Sequence, residues 1–151
     1  MGIGACAEIW AKPLAFLPGV CILVGLRSSL ARIAVTGGVQ WSTSRVHDIG
    51  IRHWQAGVDW SFGHQFWFAL QGQVSVVQLV PRAGLSPDAI STYDPSVTAR
   101  AGISLPLQRE HLLTGLGLRL QQAHEVVVNG NSVFSVPNLA LTMDVAYEFD
   151  W

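Results

Sequence analysis

The side chains with chemical potential are few and scattered. Asp59, Arg100, Arg119, Asp144 and Glu148 are charged residues set among Gln, Ser, Thr and Gly. His47, His53 and His124 lie near Asp48, Glu125 and several serines, so a Ser–His–acid set is conceivable. No histidine is followed by a serine two residues later, and no histidine pair has the i, i+2 or i, i+4 spacing that would hold a metal. His64 and His111 fall at short turns and are expected to face water. Cys6 and Cys21 are the only cysteines, form no CxxC, and read as inert. Gly37-Gly38 and Gly115-x-Gly117 are not phosphate loops: they sit inside extended segments and suit curvature or close packing. These patterns predict no metal and no cofactor.

The elements that must position these residues alternate with period 2. Ile33, Val35, Gly37, Val39 and Trp41 share one face, against Ala34, Thr36, Gly38, Gln40 and Ser42. Trp54, Ala56, Val58, Trp60 and Phe62 oppose His53, Gln55, Gly57, Asp59 and Ser61. Phe66, Phe68, Leu70, Val74 and Val76 oppose a polar face that Trp67 interrupts. Val97–Leu105 carries Arg100 on its polar side, and Pro106, with no N–H to donate, is expected to end that ladder. Leu112–Gln121 carries Arg119. Leu139–Trp151 sets Leu, Met, Val and aromatic residues against Asp144, Glu148 and small polar residues. Six strands are counted from Arg32 onward.

Residues 1–31 have two readings. The apolar run Pro13–Leu26 after Lys12, with Ser29-Leu30-Ala31 behind it, fits a signal peptide. The alternation of Val20, Ile22, Val24 and Leu26, with Ala7–Ala11 before it, fits two additional strands. The chain thus divides into residues 1–31 and a β-meander over 32–151.

Charged residues are 13% of the 151, against about 25% in a typical soluble domain, while hydrophobic residues are 50%. Net charge is −1, so no basic surplus serves a nucleic-acid partner. The only lysine is Lys12. A water-facing polar surface would be rich in Lys and Glu; a closed lumen would not. Connections alternate between long (Ser44–Arg52, Leu79–Asp94, Ala123–Pro137) and short (around Gly63-His64 and Gln108–Glu110), as in a transmembrane barrel. Trp60, Phe62, Phe66, Phe68, Tyr147, Phe149 and Trp151 fall at one level of the apolar face, and Trp41 and Trp54 at the other. Aromatic girdles of this kind flank a lipid-facing band. The expected fold is all-β: an antiparallel up-and-down transmembrane β-barrel of eight strands, with Asp59, Arg100, Arg119, Asp144 and Glu148 as a lumen charge network.

The terminal segment Met143–Trp151, MDVAYEFDW, resembles the C-terminal β-signal of bacterial outer-membrane barrel proteins, with Trp151 in place of the more usual Phe. The resemblance implies a cell-envelope protein of the bacterial outer membrane, in contact with membrane lipid. It also implies recognition of Tyr147, Phe149 and Trp151 by the barrel-assembly machinery. If only six strands formed, several chains would have to share one barrel as a homo-oligomer. The implied role is non-enzymatic: a structural barrel, or porin-like transport of small solutes through a narrow channel. A lipid-modifying hydrolase or acyltransferase, which would need a Ser–His pair at the upper rim, and a soluble lipocalin-like carrier, with the apolar face turned inward, are the alternatives. The His-x-Ser arrangement of the lipid A deacylases is absent.

Overall fold

The computed structural model describes residues 1–11, 14–28, 30–43, 49–81, 90–107, 110–128 and 131–149. The strands are β1 (Gly2–Ala11), β2 (Leu14–Arg27), β3 (Ala31–Thr43), β4 (Ile49–Gly63), β5 (Phe66–Pro81), β6 (Ile90–Leu107), β7 (Glu110–Gln121), β8 (His124–Val128), β9 (Asn131–Val136) and β10 (Leu139–Phe149). Eight of them close an antiparallel barrel in the order β1-β10-β7-β6-β5-β4-β3-β2. β8 and β9 form a separate hairpin between β7 and β10. The predicted fold class is the observed one.

β1 and β2, which lie within residues 1–31, stand in the barrel wall. β1 pairs with β2 on one side and with β10 on the other, so this segment closes the sheet. Eight strands close within one chain, which removes the reason for sharing a barrel between chains.

Three boundaries differ from the sequence expectation. Leu79–Asp94 and Ser44–Arg52 read as loops, yet β5 and β6 stay paired out to Leu79–Ile90, and β4 begins at Ile49. Their Gly, Ser, Pro and Asp residues resemble turn chemistry, but pairing already running along the wall carries the strands further. Pro106 does not end β6: it pairs opposite His111, and the strand runs to Leu107. The β5–β6 pairing ends at Ile103, so at Pro106 the strand has a neighbour on one side alone, as at a sheet edge where Pro is tolerated.

The pleat sends alternate side chains to opposite faces. Exposed apolar residues cover the outside, among them Ile22, Val24, Ile33, Val35, Val58, Leu70, Leu116, Leu118 and Val145. Buried residues of the inside include Glu8, Arg32, Gln40, His53, Asp59, Gln71, Gln73, Thr98 and Arg119. An inside-out distribution over a closed sheet is stable only where hydrocarbon wets the exterior. The inward-facing apolar cavity of a soluble carrier is therefore not the arrangement found.

The barrel has a terminal end, with Met1, Phe149 and the connections after β2, β4 and β6, and a loop end with the longer connections. Gly63, at the β4–β5 turn, has φ 104°, a left-handed conformation that favours glycine.

Candidate functional site: the filled lumen and the two girdles

Side chains on β2, β3, β4, β6 and β10 meet in the terminal half of the lumen. Arg27 donates to Glu148 at 3.0 Å, and Arg32 donates to the other oxygen of Glu148 at 3.0 Å. Arg32 also reaches Asp59 at 3.3 Å. Arg100 donates to Asp59 and, at 2.9 Å, to Asp144. The result is a continuous chain of alternating charge: Arg27, Glu148, Arg32, Asp59, Arg100, Asp144. Each interior link of the chain has two partners, so no charge there depends on one contact.

Arg119 belongs to a second cluster, nearer the loop end. Its guanidinium forks onto both carboxylate oxygens of Glu8, a bidentate arrangement suited to a fixed pair. Trp10 Nε1 donates to Glu8 at 3.1 Å. His53 is wholly buried beside them, with Nδ1 2.9 Å from Gln40 Oε1 and Nε2 3.4 Å from Arg119 Nη1. A carbonyl can only accept and a guanidinium can only donate, so this pattern assigns the ring proton to Nδ1.

Apolar groups close over both clusters. Trp10, Leu17, Ile51, Val77, Val136, Ala15 and Ala140 form a buried cluster at the loop end. Val136 is the last residue of β9, so the base of the hairpin seats in the barrel mouth. At the terminal end Trp67, Ala69 and Leu113 form another. Trp67, which broke the polar face of its strand in the sequence, lies over paired glycines: a Cβ at Gly102 or Gly115 would fall within 2.7 Å of its ring. Gly117 makes room in the same way for Arg100, whose Cγ lies 2.5 Å from where a Cβ would stand. Close packing was one of the two readings given for Gly115-x-Gly117, and these are its beneficiaries.

Between the two apolar clusters lies a cavity of about 60 Å³, lined by Gln40, Gln55, Gln71, Gln73, Thr98 and Thr142 among others. That is room for a few water molecules on the order-of-magnitude volume each needs, not for a solute. Among the described residues, the buried Thr98 and Thr142 hydroxyls have no protein partner, as suits groups that line a hydrated space.

Cys6 and Cys21 are joined by a disulfide between β1 and β2. The reading of inert thiols is thereby corrected: the two lie diagonally across paired strands, Cys6 opposite Gly19 and Cys21 opposite Gly4. Spacing alone concealed this, because the pairing depends on the β1–β2 register. A persistent disulfide belongs to an oxidising compartment.

All five expected lumen charges that were named (Asp59, Arg100, Arg119, Asp144, Glu148) point inward, but Arg119 is separate from the other four. Sequence reasoning missed Glu8, Arg27, Arg32 and His53 as members. Parity held the signal for three of them: His53 shares a face with Asp59, Arg32 with Ala34 and Gln40, and Glu8 with Cys6 and Trp10. His53, a candidate for a Ser–His–acid set, is instead deep in the lumen. His47 and Asp48 lie outside the described residues. His111, expected to face water, is half-buried with Nδ1 3.2 Å from the Ser104 hydroxyl, at the terminal end. Among the described residues no group of three potential metal ligands gathers.

Outside, Trp60, Phe62, Phe66, Phe68 and Phe149 are exposed around the terminal end, with Tyr147 half-buried against Phe149. Trp41 and Trp54 are about half exposed toward the loop end. Tyr93, which the sequence reading left in a loop, joins them with 75% exposure. Trp151 lies outside the described residues. A closed eight-stranded sheet with this apolar band, girdled at two levels around a filled polar lumen, is a transmembrane β-barrel.

No protein-family model and no curated sequence matches the chain. Among solved structures, the crystal structure of Neisserial surface protein A (NspA) is similar with a TM-score of 0.62 at 12% identity, over 99% of this chain and 95% of that one. The crystal structure of the outer membrane enzyme PagL has a TM-score of 0.48 at 10% identity, covering 100% of both chains. The likeness to NspA is one of fold.

Proposed function

We propose that the protein is a structural β-barrel of the bacterial outer membrane, without a continuous pore. The observation that carries this reading is the pairing of a lipid-facing exterior with a lumen filled at both ends. The disulfide supports a location beyond the reducing cytoplasm. In this reading the terminal end faces the periplasm and the longer loops face outward. Tyr147 and Phe149, with Trp151 next in the alternation, are the side chains the assembly machinery would take up. Of the two non-enzymatic forms, the packed lumen favours the structural one over a narrow channel.

Two measurements on the purified protein test the reading. Outer-membrane extract run on SDS gels with and without boiling is expected to show a mobility shift, and a soluble product with no shift would overturn the membrane assignment. Planar bilayers containing the refolded barrel are expected to stay at baseline conductance; reproducible single-channel steps would restore the channel.

One observation favours a hydrolase as the second reading: the Ser104–His111 contact, which opens onto a groove with His64 and Gln65. The Ser104 hydroxyl would attack an ester carbonyl as His111 took its proton; the ester C–O bond would then break, the leaving alcohol would take that proton from His111, and water would release the acyl group from Ser104. A fluorophosphonate probe labelling the wild type but not Ser104→Ala would support it; an unlabelled wild type would dismiss it.

A further inference from the structure

The outer wall is recessed over Gly37 and Ala56. Gly37 is at an outward position of β3, paired with Ala56 on one side and Ile22 on the other, and Val74 follows beyond Ala56. The two small residues leave a groove of about 570 Å³ in the lipid-facing surface, with Trp54 and Tyr93 on its loop-end rim. From Ile22 to Val74 it crosses three inter-strand spacings, roughly 14 Å at about 4.8 Å each. That width admits acyl chains side by side.

A charge stands directly beyond the rim. Arg52 is exposed, two residues from Trp54 on the same face, and opposite Trp41 across the β3–β4 pair. Among the described residues of the eight barrel strands, Arg52 and Glu110 are the charged side chains at outward positions, and Glu110 begins β7 at the other end. A lipid-facing arginine costs about 2–4 kcal/mol at mid-bilayer and little at the interface. Arg52 therefore marks headgroup level, with the apolar groove running from beneath it toward mid-bilayer.

We propose that this groove and Arg52 form a binding site for a phosphorylated, multiply acylated lipid of the outer leaflet, the class to which lipid A belongs. The acyl chains lie over Gly37 and Ala56 beneath Trp54 and Tyr93, and Arg52 donates to a headgroup phosphate. The proposal rests on the outer-membrane reading, which fixes the loop end as the outer leaflet.

Native mass spectrometry of the detergent-refolded barrel, titrated with lipid A, with dephosphorylated lipid A and with phosphatidylethanolamine, tests it. Each variant is first checked for the gel shift, so loss of the barrel is distinguished from loss of the site. The wild type is expected to retain lipid A in preference to the other two. Arg52→Ala is expected to reduce that retention about tenfold, the worth of one charge-assisted hydrogen bond. Gly37→Leu is expected to abolish it by filling the groove. The substitution is sterically open, since the nearest atom to a Cβ there is 3.7 Å away on the Ile22 side chain. Ala101→Leu, the same bulk on the outward face of β6, is expected to leave it unchanged. Equal retention of the dephosphorylated lipid or of phosphatidylethanolamine, or wild-type retention by Arg52→Ala, would overturn the site. So would a dimer that Gly37→Leu dissociates, since the occupant would then be a second copy of the chain. Arg52 is exposed, so its variant carries the test even where the groove variant misfolds.

Discussion

The two halves of the lumen solve the same problem differently. In the terminal half, charges alternate along a chain in which Arg32, Asp59, Arg100 and Glu148 each have two opposite partners. In the loop half, Arg119 is the one arginine bound to Glu8, and the two are sealed under Trp10 and Leu17. Burying a charge is expensive, and what decides the loss on mutation is whether the partner left behind still has a counter-charge. Redundancy protects one half. The other depends on a single contact.

Four substitutions sharpen or break that contrast, each read as the shift in the denaturant midpoint of the folded gel band. Arg119→Leu strands Glu8 with no counter-charge and is expected to cost about 3–5 kcal/mol. The double variant Glu8→Leu with Arg119→Leu removes both charges and is expected to recover most of that loss, because apolar replacement of a buried pair is often close to neutral. No recovery would mean that the pair does more than balance charge. Arg32→Leu leaves Asp59 with Arg100 and Glu148 with Arg27, and is expected to cost roughly 1–3 kcal/mol. A loss as large as that of Arg119→Leu would remove the distinction between the halves. Arg27→Ala, at the partly exposed end of the chain, is expected to cost about 0–1 kcal/mol, because Glu148 keeps Arg32.

The comparison also shows where the sequence was legible. The terminal-half members Asp59, Arg100, Asp144 and Glu148 lie in strands whose alternation is clean, so their inward direction could be read. Arg27 and Glu8 fall within residues 1–31, where apolar residues, prolines and glycines serve a leader as well as a strand. Trp67 is an inward apolar residue on a polar face, and what it fills is set by glycines on two other strands. Tyr93 was read as loop because Ser, Pro and Asp surround it, while its strand is held by partners already paired below it.

Period 2 is a local property of the backbone, so the sequence by itself determined the all-β class, the lipid-facing and lumen-facing sets, and the two aromatic levels. Which lumen residues meet depends on the register of strands far apart in the chain. Arg119 and Glu8 are 111 residues apart and meet over β10, the strand that stands between theirs. The ion pairs, the Cys6–Cys21 bond, the glycine pocket for Trp67 and the closure by β1 were decided by tertiary structure, because each requires two or more strands to be placed before the residues can touch.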